Sequence, residues 1–219
     1  MDRAPKDRWD AMWAARLGTW DTKTDQLLAN FYDKLIRLYS SGRAYHNLSH
    51  VMACLDELNT VTNLSAQSIF ALKFAIFCHN AIYNINRFDN ENRSAWLAVD
   101  FLFSIGISDG TAKQVQGLIL ATEHKSGVVL TPDQQLICDI DLVSLGQPPA
   151  IFDRYNQAIR REYSRYSDDE YAAGRVVLFE AFLQQPYIYH TLAFQQKYEQ
   201  PARRNLQRAI AALQQSPQP

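Results

Sequence analysis

The sequence is poor in glycine and has little of the alternating pattern that is typical of β-strands. Only 8 of its 219 residues are glycine. Apolar residues recur instead at the three- and four-residue spacing of amphipathic helices. No segment of the sequence favours a strand over a helix. We therefore expect an all-α fold.

The chain also lacks the apolar runs that take a protein into or across a membrane. No run approaches the ~20 apolar residues that a membrane span needs. The N-terminal segment MDRAPKDRWD is charged and has no apolar core of a signal peptide. The three cysteines, Cys54, Cys78 and Cys138, lie in apolar stretches, as buried thiols of a cytosolic protein do. We expect a cytoplasmic protein with no membrane partner.

Neither charge sign dominates. The chain has 22 basic and 23 acidic residues, which gives a net charge of −1, and no long basic run. Binding to a nucleic acid polymer is therefore not expected. With 47% hydrophobic residues the chain can build an ordinary core. Its length predicts one domain over residues 1–213, and the polar, proline-containing end predicts a disordered tail over 214–219.

Helical spacing of apolar residues runs along most of the chain. The segment from Ile69 to Cys78 is apolar on nearly all sides, with Lys73 as the exception, and predicts a central buried helix. The later helices are predicted over 94–105, 111–124, 132–145, 151–163, 168–184 and 187–213.

Three histidines and a distant carboxylate stand out. His46 and His50 are four residues apart, so their side chains share one face of a helix. Taken alone, such a pair is more often two polar residues on one surface, and His79 can simply cap the apolar helix that it ends. Asp141 lies in an apolar run, where a carboxylate needs a cation or a cluster of donors. Together with Asn80, these residues offer three imidazoles, one amide and one carboxylate.

That set of ligands suits a borderline to hard divalent ion, namely Mn, Fe, Co, Ni, Zn or Mg. An ion held in this way activates water and polarises a phosphoryl oxygen. Other polar segments are consistent with a pocket for an anion, namely 89–94 and 123–125. A helix N-terminal cap and a solvated helix end explain these two segments equally well. Tyr45 and Tyr83 flank the histidines, where filling of the core is the simpler role.

The sequence resembles the HD-domain superfamily of metal-dependent phosphohydrolases, in particular a bacterial group of predicted HD phosphohydrolases. The resemblance covers most of the chain, and its combination of motifs is more specific than any one of them. The motifs are YHNLSH at 45–50, H-[D/N]-x-x-Y at 79–83, DNENRSA at 89–95, LILATEH at 118–124, DIDLVSLG at 139–146, IRREY at 159–163, GRVVLFEAFL at 174–183 and ARRNLQRAI at 202–210.

The resemblance implies an all-α HD-domain helical bundle with its pocket between central helices. It also implies that the metal ligands are His50, His79, Asn80 and Asp141 and that the catalytic residues are His46, as general acid, and Glu91 and His124, both at the pocket rim. Among the other polar residues, we expect Tyr83, Lys125 and Arg160 to bind the substrate.

Two positions depart from the family pattern. Asn80 stands where the family has aspartate, and Lys125 stands where the group has a second histidine. Both changes weaken the attraction for a metal ion.

The leading hypothesis is a metal-dependent phosphohydrolase that acts on a small, nucleotide-like phosphoester by metal-activated water. The alternative is a degenerate HD protein that binds a nucleotide or phosphometabolite without turning it over. A purely structural helical adaptor would leave the histidines unexplained. In the first two cases the expected partner is a small phosphorylated molecule.

Overall fold

The fold is all-α, as the sequence predicts. The structure is a computed structural model that describes residues 5–125 and 127–215, and these contain helices and turns but no β-strand. The chain divides into two compact units, one up to Ile137 and one from Cys138 on. The sequence indicated a single domain over residues 1–213. Each unit is described by itself.

The first unit consists of six helices and the start of a seventh. The helices are α1 (Pro5–Leu17), α2 (Thr22–Tyr39), α3 (Leu48–Leu58), α4 (Ala66–Cys78), α5 (Asn90–Ser104), α6 (Asp109–Ala121) and α7 (Pro132–Asp141).

Helix α4 lies at the centre of the first unit and packs against α1, α3, α5 and α6. Every residue from Phe74 to Cys78 is buried, whereas Ile69 is 37% exposed, so the predicted central helix is present but has one open end. Aromatic rings fill the space around it. For example, the Trp9 ring of α1 meets the Phe77 ring edge to face at 5.2 Å. Burial of large aromatic side chains is among the strongest contributions to a small core.

The second unit begins in the last turn of α7. It continues with a 3-10 turn (Leu142–Gly146), α8 (Pro149–Glu162), α9 (Asp168–Gln184), the short α10 (Leu192–Phe194), a π-helical turn (Gln195–Glu199) and α11 (Gln200–Gln215). Helix α11 packs against α9, the 3-10 turn and the π-helical turn. The 3-10 turn also packs against the π-helical turn. Gly146 permits this contact, because a Cβ atom at that position would lie 2.7 Å from Tyr198 Cβ.

Buried polar side chains organise the segment before α10. Asp139 is fully buried and accepts hydrogen bonds from the backbone N–H groups of His190 (2.6 Å) and Thr191 (2.8 Å) and from the Thr191 hydroxyl (2.7 Å). Burial raises the pKa of the Asp139 carboxyl, and the hydrogen bonds oppose that shift. Glu199 accepts from the N–H groups of Ile188 and Tyr189 in the same way. These contacts replace the helix predicted over 187–191.

The other predicted helices are present, with ends that differ by a few residues. Helix α5 begins four residues earlier than predicted, and α6 ends three residues earlier. Helix α11 includes Gln214 and Gln215, the first two residues of the predicted disordered tail, and the other four lie outside the described residues. None of the helices in the described part of the chain is both long and apolar enough to cross a membrane.

Candidate metal centre

The segment before α3 places two of the histidines. Asn47 caps α3, because its side-chain oxygen accepts a hydrogen bond from Ser49 N–H at 2.9 Å. Its amide nitrogen donates to the carbonyl oxygens of Arg43 (3.3 Å) and Ala44 (3.1 Å). This cap fixes where the helix begins. His46 therefore stands just outside α3, whereas His50 lies in its first turn and is buried.

His50 and His79 meet at the junction of α3 and α4. Their Nε2 atoms are 3.2 Å apart, although the two residues are 29 positions apart in the sequence. Two imidazole nitrogens that bind one ion at about 2.0–2.1 Å each lie at this kind of separation. A hydrogen bond between the two rings has the same separation. Both rings are almost fully buried, His50 at 9% exposure and His79 at 3%.

The Ile76 carbonyl group decides which nitrogen of His79 carries the proton. His79 Nδ1 lies 2.8 Å from Ile76 O, and a carbonyl oxygen can only accept a hydrogen bond. Nδ1 is therefore the protonated nitrogen of the neutral ring, and Nε2 presents its lone pair towards His50. Histidines that bind metals are held in this way, by a hydrogen bond from the nitrogen that does not bind the ion.

Asn80 lies directly against that lone pair. Its Nδ2 atom is 2.7 Å from His79 Nε2, so the amide donates to the nitrogen that would bind an ion. A rotation of about 180° about the last side-chain bond would present the oxygen instead, and the two orientations are assigned from such hydrogen bonds. An amide oxygen binds a divalent ion without adding negative charge. The three side chains therefore form a neutral donor set.

Cys54 also lies in this cluster, although the sequence analysis predicted it only as a buried thiol. Its sulfur lies 3.7 Å from His50 Nε2 and 3.9 Å from His50 Nδ1. The donor atoms of His50 and Cys54 are thus close enough to take part in one metal site. The nearly equal distances place the sulfur beside the ring and not in line with the Nε2 lone pair. Cys54 is therefore better placed to support the His50 ring than to bind the same ion.

Arg43 is a second residue that sequence reasoning missed. Its guanidinium donates hydrogen bonds to the carbonyl oxygens of Asn80 (2.5 Å) and Ala81 (3.0 Å). The charged group also lies 5.5 Å from the centre of the Tyr39 ring and 5.6 Å from that of Tyr83. Arg43 thereby joins the segment that carries His46 to the one that follows His79. In the sequence, the only indication of this role is that Arg43 lies three residues before His46, in the segment GRAYHN at 42–47.

His46 packs against Tyr83, the predicted substrate-binding tyrosine. The two rings are stacked with their centres 4.1 Å apart and their planes 25° apart. The centres of the His46 and His50 rings are 6.1 Å apart, so His46 lies next to the cluster and not within it. Both His46 and Tyr83 are half-buried, and solvent therefore reaches them.

The segment after His79 is held by the start of α5. The Ser94 hydroxyl accepts a hydrogen bond from Ile82 N–H at 3.0 Å, and the Asn90 side chain pairs with the backbone N–H and carbonyl groups of Asn84, both at 3.0 Å. Asp89 pairs with Arg87 and makes no capping hydrogen bond with its side chain. The motif at 89–95 is therefore largely structural. Glu91, the predicted catalytic residue, lies half-buried in the first turn of α5.

The other predicted rim residues follow α6. His124 has a left-handed backbone (φ 52°), and its N–H donates to Ala121 O at 3.1 Å, which ends the helix. Lys125 is exposed and forms an ion pair with Glu123 at 2.8 Å. The structure places these residues at a helix end, and their roles in catalysis and substrate binding stay predictions.

The two remaining predicted residues belong to the second unit. Arg160 donates to Asp168 (2.7 Å) and to the carbonyl oxygens of Tyr163 (2.9 Å) and Tyr166 (3.0 Å), which ties the end of α8 to the start of α9. Because its donors serve this connection, we leave Arg160 out of the proposed site. Asp141 is the last residue of α7 and is half-buried, and its role as a metal ligand stays a prediction.

Comparisons with known proteins do not assign this chain to a family. A scan against protein-family models found no match, and a search of curated proteins found none either.

Proposed function

We propose that this chain is a metal-dependent phosphohydrolase that acts on a small phosphoester, with His50, His79 and Asn80 at its metal centre. The observation that carries the proposal is the 3.2 Å separation of His50 Nε2 and His79 Nε2, with the His79 proton held on the opposite nitrogen by Ile76 O. Buried imidazoles in this arrangement are typical of metal ligands. The class of reaction comes from the resemblance of the sequence motifs to those of the HD superfamily.

The donor set fits a borderline divalent ion better than a hard one. Imidazole nitrogen suits Fe, Co, Ni and Zn, whereas Mg prefers carboxylates and water. A bound ion of this kind would supply Lewis-acid activation of a phosphoryl oxygen and of water. We therefore expect Zn, Ni or Co to bind more tightly than Mg.

The surrounding residues contribute orientation and a proton. The stacked contact with Tyr83 fixes the plane of the His46 ring. An imidazole beside the centre can donate a proton to the oxygen of the leaving group, since histidine titrates close to neutral pH. Arg43 keeps the His46 segment and the Asn80 backbone together.

The test is phosphate release from a panel of small phosphoesters, with nucleoside monophosphates among them, in the presence of Mg, Mn, Co, Ni or Zn. We expect turnover with at least one borderline ion. The variant His50→Gln should lose both bound metal and turnover. The control is His190→Gln, because His190 is an exposed histidine of the second unit. Metal binding without turnover on any phosphoester would reject the hydrolase.

A second candidate function is a degenerate HD protein that binds a nucleotide or phosphometabolite without turning it over. The amide of Asn80 favours this function, because an amide beside His79 Nε2 brings no negative charge to offset the positive charge of a metal ion. The distinguishing measurement is calorimetry with non-hydrolysable phosphonate analogues. Binding of an analogue by a wild-type protein that hydrolyses none of the panel would favour this second function.

A further inference from the structure

Helix α5 carries an exposed aromatic stripe on the face that points away from the core. Trp96 is 64% exposed and Phe103 is 49% exposed, whereas the opposite face buries residues such as Ala98 and Leu102. Arg93 and Asp100 share the exposed face with the two aromatic rings. The four residues follow the i, i+3, i+7, i+10 spacing of a helix seam that packs against another helix. Exposed tryptophan and phenylalanine on one face mark an interaction surface.

We propose that this face of α5, formed by Arg93, Trp96, Asp100 and Phe103, binds a second copy of the chain in an antiparallel helix pair. The charges on the face select this partner. Arg93 and Asp100 are seven residues apart, or about 10 Å along the helix. In an antiparallel pair, Arg93 of each copy lies beside Asp100 of the other. A parallel pair would place like charges together, which is unfavourable.

The same arrangement brings the aromatic residues together. The two Trp96 rings meet near the two-fold axis, where a buried tryptophan contributes most to an interface. Phe88 precedes α5 and is 98% exposed. Because the start of one helix then faces the end of the other, Phe88 of one copy approaches Phe103 of the second. Such a two-fold contact uses one patch twice and closes on itself.

Both charged side chains are exposed, and Arg93 lies close enough to Asp89 to contribute to the lowered pKa of that carboxyl. Within residues 5–125 and 127–215, neither Arg93 nor Asp100 forms a salt bridge. The face is only one helix long, so we expect the area that it buries to be smaller than the ~1,200–2,000 Å² of a stable interface. We therefore expect a weak dimer that forms with increasing protein concentration.

The experiment is analytical ultracentrifugation of the full chain over a wide range of concentrations. The wild type should shift from monomer to dimer. Trp96→Glu should weaken the dimer by roughly thirtyfold or more, as loss of a central interface tryptophan does. Val177→Glu is the matched control, because Val177 is a 68% exposed apolar residue in the second unit.

Charge reversal tests the antiparallel arrangement itself. Arg93→Asp and Asp100→Arg should each weaken the dimer, because each places two like-charged pairs across the interface. The double variant should recover the wild-type association, because both pairs are restored with opposite sign. The surface substitution Asp109→Lys on α6 should have no effect. A monomeric wild type, a dimer that survives Trp96→Glu, or a double variant without recovery would each overturn the proposal, and circular dichroism would verify that every variant is folded.

Discussion

Asn80 Nδ2 lies 2.7 Å from His79 Nε2, so an amide stands at the position where a carboxylate would attract a metal ion. The substitution Asn80→Asp adds one negative charge beside that ion. At an effective dielectric of about 20 the Coulomb attraction is several kcal/mol before the cost of desolvation. We expect Asn80→Asp to raise the affinity for Zn or Co at least about tenfold in isothermal titration calorimetry.

The control for this variant is Asn30→Asp, which makes the same chemical change on the exposed face of α2. It should leave the metal affinity unchanged. If the wild type already retains one ion through chelation and Asn80→Asp does not raise the metal affinity, the amide does not limit that affinity.

The fold and part of the site follow from local patterns in the sequence. Helical spacing identifies the long helices. The shared helix face predicted for His46 and His50 is not formed, because Asn47 caps α3 and leaves His46 outside the helix. Arg43 escapes such reasoning because its partners are backbone carbonyls that only the fold brings near. Cys54 could have been found, because it lies four residues after His50 on α3, at the spacing that places two side chains on one helix face. The hydrogen bonds of Arg160 to the carbonyl oxygens of Tyr163 and Tyr166 also depend on the fold, and its role in substrate binding stays a prediction.

Loss of a proposed ligand should differ from loss of a rim residue. We expect His79→Gln to abolish metal binding, because the remaining neutral donors are too few to hold an ion. His124→Asn should reduce the affinity only modestly, by less than about tenfold. Asparagine is chosen because it tolerates the left-handed backbone at position 124. Equal losses of metal in the two variants, measured by elemental analysis after dialysis, would mean that His124 is also a ligand.

Arg43 should matter for stability as well as for the site. Arg43→Ala removes charged donors from two carbonyl oxygens, and each such hydrogen bond contributes about 1.5–3 kcal/mol. We expect the free energy of unfolding in urea to fall by about 2–4 kcal/mol. Arg37→Ala, on the exposed face of α2, should change it by less than about 0.5 kcal/mol. A similar small change for Arg43→Ala would show that the two segments hold together without it.

Replacing two glycines of the second unit by alanine should change the stability of the protein in opposite directions. A Cβ atom at Gly146 would meet Tyr198 atoms at 2.7 and 2.9 Å, so Gly146→Ala should destabilise the protein by about 1–3 kcal/mol. Gly174 lies within α9 with no atom within 4 Å of such a Cβ. Gly174→Ala should therefore stabilise the protein by about 0.5–1 kcal/mol. Thermal unfolding of both variants measures the difference. If Gly146→Ala is as stable as the wild type, the π-helical turn that carries Tyr198 can move to accommodate the added methyl group.

His46 is the residue that separates catalysis from metal binding. Its ring stacks on Tyr83 and lies 6.1 Å from the centre of the His50 ring, so it can reach a bound phosphoester without holding the ion. We expect His46→Ala to lower kcat by roughly 10²–10⁴-fold, as loss of one general acid does, while the metal content stays near that of the wild type. A substrate with a strongly acidic leaving group, such as a nitrophenyl ester, should lose less, because its oxygen leaves without a proton. If His46→Ala loses its metal, His46 is a ligand. If it loses rate equally with both kinds of substrate, His46 positions the substrate and the acid lies elsewhere.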